Sequence, residues 1–432
     1  MRCFFRWVVL SMVASSSAVA FAQLPNAVTP NYGRTRIAYN TELPAPSDAA
    51  VGSGVQAVGN PVTIPQQGSV DMGYSDATTS AGAYSYGDIE GVPCETECFS
   101  EPQHCGWFAG AYYMYLSRYE DNGMPLATAT ADPFTPVLHT SNAKMEDASG
   151  LGIRLGKMLS PCCAVEFIYW QVFPDDVTAT AKNSVAGSTI NSSLLFNDLT
   201  YDNGGGAAPV LDYYTDSQYQ SVTRTYDYSN FELNLLRLPY VFSGGCGKAS
   251  IALLGGIRYF QADESLTYFS DDLNEMPGDD PANELKYFNE VENHLVGFQL
   301  GGVLNYQFTC NLSAQLGSKV GVFNNRINQT QALSGGTGGA LIAAGPDAGQ
   351  PFALESKKDD IAFLSEFDIG LAYCIKPCWR IAGGYKVLAI SGYADSQNQL
   401  PYDYSSLATN GLIQNNNSLI LHGAYIGLEH TW

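Results

Sequence analysis

Two kinds of residue in this sequence carry chemistry. The first is cysteine: CIKPC holds Cys374 and Cys378 around a proline, SPCC holds Cys162 and Cys163, GGCGK holds Cys246, TCN holds Cys310, and Cys94, Cys98 and Cys105 cluster upstream. Such spacings suit a zinc knuckle, a disulfide or a turn. Paired C-x-x-C knuckles of the zinc-ribbon kind are absent, which favours disulfides over a metal site. The second kind is the isolated charge inside an apolar stretch: Arg154, Glu166, Glu232, Arg237, Arg258, Lys319, Glu366, Asp368, Arg380, Lys386 and Glu429. Enclosed charges of this sort either select ions or pair with one another and fill the space. His139 in PFTPVLHTS and the acidic stretch SDDLNEMPGDDPANE are the remaining candidates, for general-base work and for Ca²⁺. No G-x-S-x-G, H-E-x-x-H, P-loop or EF-hand spacing accompanies them, so neither catalysis nor a cofactor is expected.

The compartment follows from the N-terminus. MRCFFRWVVLSMVASSSAVAFAQ has Arg2 and Arg6, an apolar run and small residues at Ala20 and Ala22, the pattern of a cleaved signal peptide over 1–22. Cleavage there removes Cys3, Arg2 and Arg6, leaving nine of the ten cysteines and 19 basic residues against 42 acidic ones. An odd cysteine count leaves one thiol over or pairs it between chains. Export permits disulfides, and the acidic balance argues against nucleic acid as a partner. Residues 23–104 are rich in Pro, Ser, Gly and Ala with little periodicity, and are expected to form a disordered arm.

From Trp107 onward the spacing is that of strands. With 27 Tyr, 20 Phe, 43 Gly and only 15% charged residues, the composition suits strands and turns. In IAFLSEFDIGLAY, Ile361, Phe363, Phe367, Ile369, Leu371 and Tyr373 share one face, against Ala362, Leu364, Glu366, Asp368, Gly370 and Ala372. HLVGFQLGGVLNYQF alternates likewise, Val296, Phe298 and Leu300 against Gly297, Gln299 and Gly301. Ten such segments are expected: 107–118, 148–159, 164–173, 226–243, 250–268, 292–308, 312–327, 358–374, 379–393 and 418–432. In the fourth, a phase change at Leu235 and Leu236 reads as a β-bulge. Long polar loops follow the odd-numbered strands and short cysteine-bearing turns follow the even ones, which places the cysteines on one rim.

Long loops at one end and short turns at the other describe a transmembrane antiparallel β-barrel over 105–432, of about ten strands (10–12), with its turns in the periplasm. Every apolar run is too broken to span as a helix, so any membrane crossing is by strands. A secreted β-sandwich is the rival, but strands of this length are long for a globular domain. Tyr and Trp near the strand ends fit interfacial girdles. The terminal SLILHGAYIGLEHTW, ending on Trp432, looks like the signal read by outer-membrane assembly machinery.

LLGGIRYFQADESLTY, NHLVGFQLGGVLNYQF, KDDIAFLSEFDIGLAY, GGYKVLAISGYA and SLILHGAYIGLEHTW together resemble a family of outer-membrane β-barrel porins found in planctomycetes, from about residue 106 onward. The resemblance implies a barrel in the bacterial outer membrane, in contact with its lipid. The expected function is passive or gated passage of small solutes through a narrow, charge-lined lumen. Two other readings stand beside it, an envelope anchor or loop-display barrel without transport, and a hydrolase site at the barrel rim. Eight strands leave a filled interior and about sixteen an aqueous channel, so ten imply a narrow or blocked pore unless SVAGSTINSSLLFNDLTYDN hides further wall strands.

Overall fold

The computed structural model describes residues 106–119, 123–160, 163–182, 189–244, 247–272, 277–309, 311–401 and 403–432. The expected signal peptide and arm lie outside them, as do Cys94, Cys98, Cys105, Cys162, Cys246 and Cys310.

Ten strands build the wall: β1 (Trp107–Tyr119), β2 (Ala148–Ser160), β3 (Cys163–Lys182), β4 (Tyr219–Gly244), β5 (Gly247–Asp271), β6 (Glu284–Gln307), β7 (Leu312–Gly335), β8 (Ala353–Lys376), β9 (Trp379–Tyr393) and β10 (Asn417–Thr431). Each pairs antiparallel with the next in sequence, and β1 pairs with β10 from Phe108↔Thr431 to Tyr119↔Ile420, which closes the barrel. At the seam Trp107 and Trp432 exchange backbone hydrogen bonds of 3.0 Å. Where wall and lumen are tight, glycine is required: a Cβ on Gly427 would lie 2.3 Å from the Tyr112 ring.

Period two sorts the side chains as expected. On β8, Ile361, Phe363, Ile369, Leu371 and Tyr373 are exposed outward, while Ala362, Leu364, Glu366 and Ala372 are buried inward. From Ile361 to Tyr373 the strand climbs about twelve steps of ~3.3 Å, which at a tilt of ~40° makes a band of about 30 Å, close to the apolar belt of an outer-membrane barrel. Above it the outer face turns polar at Asp359, Lys357 and Glu355, and on β6 at His294 and Glu292. Tyr169, Phe231 and Tyr259 form an aromatic rim there, with neighbouring ring centroids 4.5 and 6.2 Å apart, and Tyr259 bonds His294 Nδ1 at 2.9 Å. At the other rim Trp379, His430 and Trp432 stack, with centroids 4.2 and 5.5 Å apart.

The wall is uneven in height. β1, β2, β9 and β10 have 13 to 15 residues, whereas β3 to β8 have 20 to 26. Pairing of β2 with β3 stops at Gly150↔Val172, and that of β9 with β8 at Phe363↔Ser391. Beyond those points β3 pairs only with β4, and β8 only with β7, among the described residues. The upper wall is therefore an open six-stranded sheet with two free edges. The expected strand ends fell short here because the pattern inverts above the lipid band. Polar residues face out and apolar ones face in, so the sequence reads as loop. At β3, Phe173 and Pro174 also interrupt the register, which resumes at Asp175.

The long loops fold into this upper space. Pro125–Ala129, Asp132–His139 and Ile190–Ser192 make one three-stranded sheet, and Leu199–Asp202, Ala207–Pro209 and Leu341–Ile342 another. The strands within the 189–202 stretch thus form small loop sheets and do not widen the wall. Loop and wall side chains share an apolar core that includes Phe196, Tyr214, Tyr268, Tyr287 and Tyr404. Phe196 holds a backbone φ of +43°, a cost of about 1–3 kcal/mol for a non-glycine residue. Burial of its ring against Tyr214, at 4.4 Å between centroids, recovers about as much. A second apolar cluster below it includes Met114, Trp170, Phe260, Phe323, Leu364 and Leu421.

Candidate lumen site

All but one of the eleven candidate lumen residues face inward. The exception is Arg237, which is exposed on the outer face with Phe231, Leu233 and Leu235. The phase change lies later than expected: Ile251 opposes Tyr240 and Leu253 opposes Arg237, so Leu238 and Pro239 form the bulge opposite Ala252. Register therefore runs unbroken through Leu236, and Arg237 stays on the outer face near the turn rim, where a long basic side chain reaches the interface.

Nine of the other ten assemble into two ionic groups at mid-lumen. In the first, Arg154 Nε lies 2.5 Å from Glu166 Oε2 and Nη1 lies 3.3 Å from Glu429 Oε1. Arg380 and the Tyr112 hydroxyl both donate to Glu429. In the second, Lys319 Nζ bridges Glu232 at 2.8 Å and Glu366 at 3.2 Å, and Lys386 Nζ reaches Glu366 at 3.1 Å. Arg258 Nη1 stands 2.8 Å from Glu366 Oε2, at ion-pair distance but off hydrogen-bond geometry. Gln299, Asn230 and Asn234 donate to Glu232 at 2.7 to 3.1 Å. Asp368 joins neither group; its Oδ1 accepts from Tyr425 at 2.9 Å and from Gln315 at 3.2 Å.

Between these groups and the lower apolar cluster lies a cavity of about 120 Å³. Its lining includes Arg154, Glu166, Lys319, Glu366, Asp368, Lys386, Tyr425, Glu429 and Trp170. Gly152 and Gly317 belong to the same lining.

Sequence reasoning missed a third ionic group, which borders the second apolar cluster. Arg118 pairs with Glu264, Arg224 lies 3.9 Å from the same carboxylate, and Tyr228 and Tyr393 donate to it. Both guanidinium groups sit over the Tyr226 ring, at 5.3 and 5.0 Å. Glu264 shares its strand parity with Arg258, which was a usable signal. Arg224 lay in the part of β4 that reads as loop.

Above this group a strap crosses the lumen. β9 breaks register at Gly392, whose φ of +78° suits glycine and where a Cβ would lie 2.6 Å from the Ile361 carbonyl, and leaves the wall after Tyr393. The chain then runs inward to β6 and β7, past β8. Asn325 Nδ2 donates to the Gly392 carbonyl at 3.0 Å, and Asn293 exchanges bonds with Ala394, 2.7 Å to its carbonyl and 3.1 Å from its N–H. Asn289 donates to the Ser396 carbonyl, and Gln331 to that of Gln399 at 2.9 Å.

Within this strap Asp395 is buried. Burial, and secondarily the Glu264 carboxylate, raises its pKa above the ordinary 3.8. The seated strap therefore holds the Asp395 proton more tightly than a released one. Seating is favoured below 3.8 and weakens as pH climbs through the raised value. Limited proteolysis of the 394–416 loop is expected to slow as pH falls, and Asp395→Asn to flatten that dependence.

The remaining candidates have plainer surroundings. His139 precedes the 3-10 turn Thr140–Ala143 and its backbone N–H donates to Asn142 Oδ1 at 2.8 Å. In the acidic loop, carboxylate oxygens of Asp271, Asp279 and Glu284 lie within 4.8 Å of one another, and Glu284 accepts the Gly278 N–H. Cys163 begins β3, while Cys374 and Cys378 flank the β8–β9 turn, all on the short-turn rim. The Cys378 carbonyl accepts the Thr431 N–H at 3.0 Å and contacts His430 Nδ1 at 2.8 Å, tying that turn to the seam.

No curated protein sequence matches the chain significantly. Among solved structures, the outer membrane protease OmpT from Escherichia coli is similar at 11% identity and a TM-score of 0.34, covering 76% of this chain and 94% of that one. CarO2 from Acinetobacter baumannii is similar at 10% identity and a TM-score of 0.24, covering 75% and 99%. The family described as Putative beta barrel porin-7 (BBP7) matches residues 126–432, most of the chain. A closed ten-stranded wall with an apolar belt agrees with that match, and the protein belongs to this family of β-barrel porins of the bacterial outer membrane.

Proposed function

We propose that the protein is a gated porin for small polar solutes, closed in the state described. The observation that carries this reading is the mid-lumen cavity lined in part by ionic groups, beneath a strap held by amide hydrogen bonds. Buried ion pairs are a poor way to stabilise a core, since apolar residues of similar volume do as well or better. Their presence in a lumen is consistent with a path that polar solutes enter. The reading makes the chain a transport protein and not an enzyme, and a planctomycete origin belongs with it. Contact with outer-membrane lipid, delivery by the assembly machinery through the strand ending at Trp432, and disulfides that staple the cysteine rim are parts of the same proposal.

Planar-bilayer recording tests it. Purified, folded protein is expected to give rare, discrete, small conductance steps. Silence from correctly folded barrels would favour the anchor reading, which the two apolar clusters filling the lumen already support.

A further inference from the structure

The mid-lumen cavity has a chemical signature narrower than its charge count suggests. Arg154, Glu166 and Glu429 are engaged with one another, and so are Lys319 and Glu366. Three polar groups in the lining keep capacity to spare. Asp368 Oδ1 takes both of that carboxylate's hydrogen bonds, and among the described residues none reaches Oδ2. Lys386 Nζ has a single acceptor there, Glu366 Oε1 at 3.1 Å, whereas an ammonium carries three protons. The indole N–H of Trp170, a residue only 2% exposed, has no hydrogen-bond partner.

Asp368 and Lys386 face each other directly across β8 and β9. Cβ atoms of such pairs lie about 4.5–5.5 Å apart. The two side chains nevertheless do not join, because Lys386 turns to Glu366 and Asp368 to Tyr425 and Gln315. One negative and one positive group thus stand side by side at the cavity wall, each with an open hydrogen-bonding position. A simple anion placed there meets Asp368, and a simple cation meets Lys386. A solute carrying both charges a few ångströms apart satisfies both.

Size narrows the class. A cavity of about 150 Å³ accommodates benzene, with its six heavy atoms. The 120 Å³ available here suits a solute of about five or six heavy atoms. We propose that this cavity is a binding site for a small zwitterion of the amino-acid class, with its ammonium on Asp368 and its carboxylate on Lys386. The site deepens the porin reading by naming its solute class and rests on that reading for its biological use, but its occupancy at equilibrium does not require conduction.

Calorimetric titration of the full-length, folded protein in detergent micelles tests the proposal, with glycine and L-alanine as probes and acetate, methylammonium and L-leucine as comparisons. Glycine and alanine are expected to bind at least tenfold more tightly than the two single-charge ions, and leucine not to enter. Asp368→Asn is expected to weaken glycine binding at least tenfold. Gly317→Leu is the second variant: Gly317 lines the cavity and a Cβ there has no neighbour closer than 3.6 Å, so the backbone accepts a side chain placed to fill the space. It is expected to abolish binding while leaving the folded, heat-modifiable band intact. Glycine binding no tighter than acetate, or unchanged in both folded variants, overturns the proposal. Bilayer silence with glycine binding intact overturns only the porin reading; steps without glycine binding overturn only the site.

Discussion

Replacing Glu366 by alanine is expected to destabilise the barrel by about 3–5 kcal/mol, the cost of stripping a buried charge of its partner. Three cations converge on this carboxylate: Arg258 at 2.8 Å, Lys386 at 3.1 Å and Lys319 at 3.2 Å. Glu232 remains to serve Lys319 and Arg258, but Lys386 has no other ion-pair partner among the described residues. The variant therefore concentrates cations in a space from which the apolar clusters exclude bulk water. Urea unfolding in micelles, followed by heat modifiability, measures the effect, and Glu366→Gln, which keeps an acceptor, is expected to lose less. An unchanged midpoint would mean that water already solvates the group, and the lumen would then be open in the resting state.

The second large effect is on gating. Asn293 and Asn325 together make three hydrogen bonds to the backbone of the strap, with Ala394 and Gly392. At about 0.5–1.5 kcal/mol each, their removal shifts the seated-to-released equilibrium by a few kcal/mol, roughly two orders of magnitude in population. The double variant Asn293→Ala, Asn325→Ala is expected to raise open probability by about that factor in single-channel records, with step size unchanged. An unchanged open probability would place the closure in the loop core around Phe196 and Tyr404 instead.

The membrane-embedded part of this chain was legible because lipid enforces one rule. Outward residues must be apolar, so Ile361, Phe363 and Tyr373 announce both strand and face, and inward charges such as Glu366 stand out against them. Ten strands, their order and ten of the eleven lumen positions follow from that contrast. Above the band the rule lapses. Water wets the outside, loops pack the inside, and residues such as Thr225, Glu290 and Gln331 lie in strands that composition alone describes as loop. Arg237 went astray for a local reason: the consecutive apolar Leu235 and Leu236 read as the phase change, whereas the bulge lies just beyond, at Leu238 and Pro239. The strap was invisible because its anchors are side-chain amides bonded to backbone, which have no preferred spacing in sequence.

The seam also sets the order of events during assembly. Every other wall pairing joins sequence neighbours through one turn or loop, whereas Tyr112 of β1 meets Glu429 of β10 across 317 positions. Hairpins form locally and fast, while contacts this distant carry the largest chain-closure entropy and form late. Until the last residues arrive, β1 and β9 present unpaired edges, and the chain is a curved sheet open to pairing with another. The two tryptophans that exchange backbone bonds at the join therefore mark the point in time, as well as in space, at which the molecule stops being adhesive.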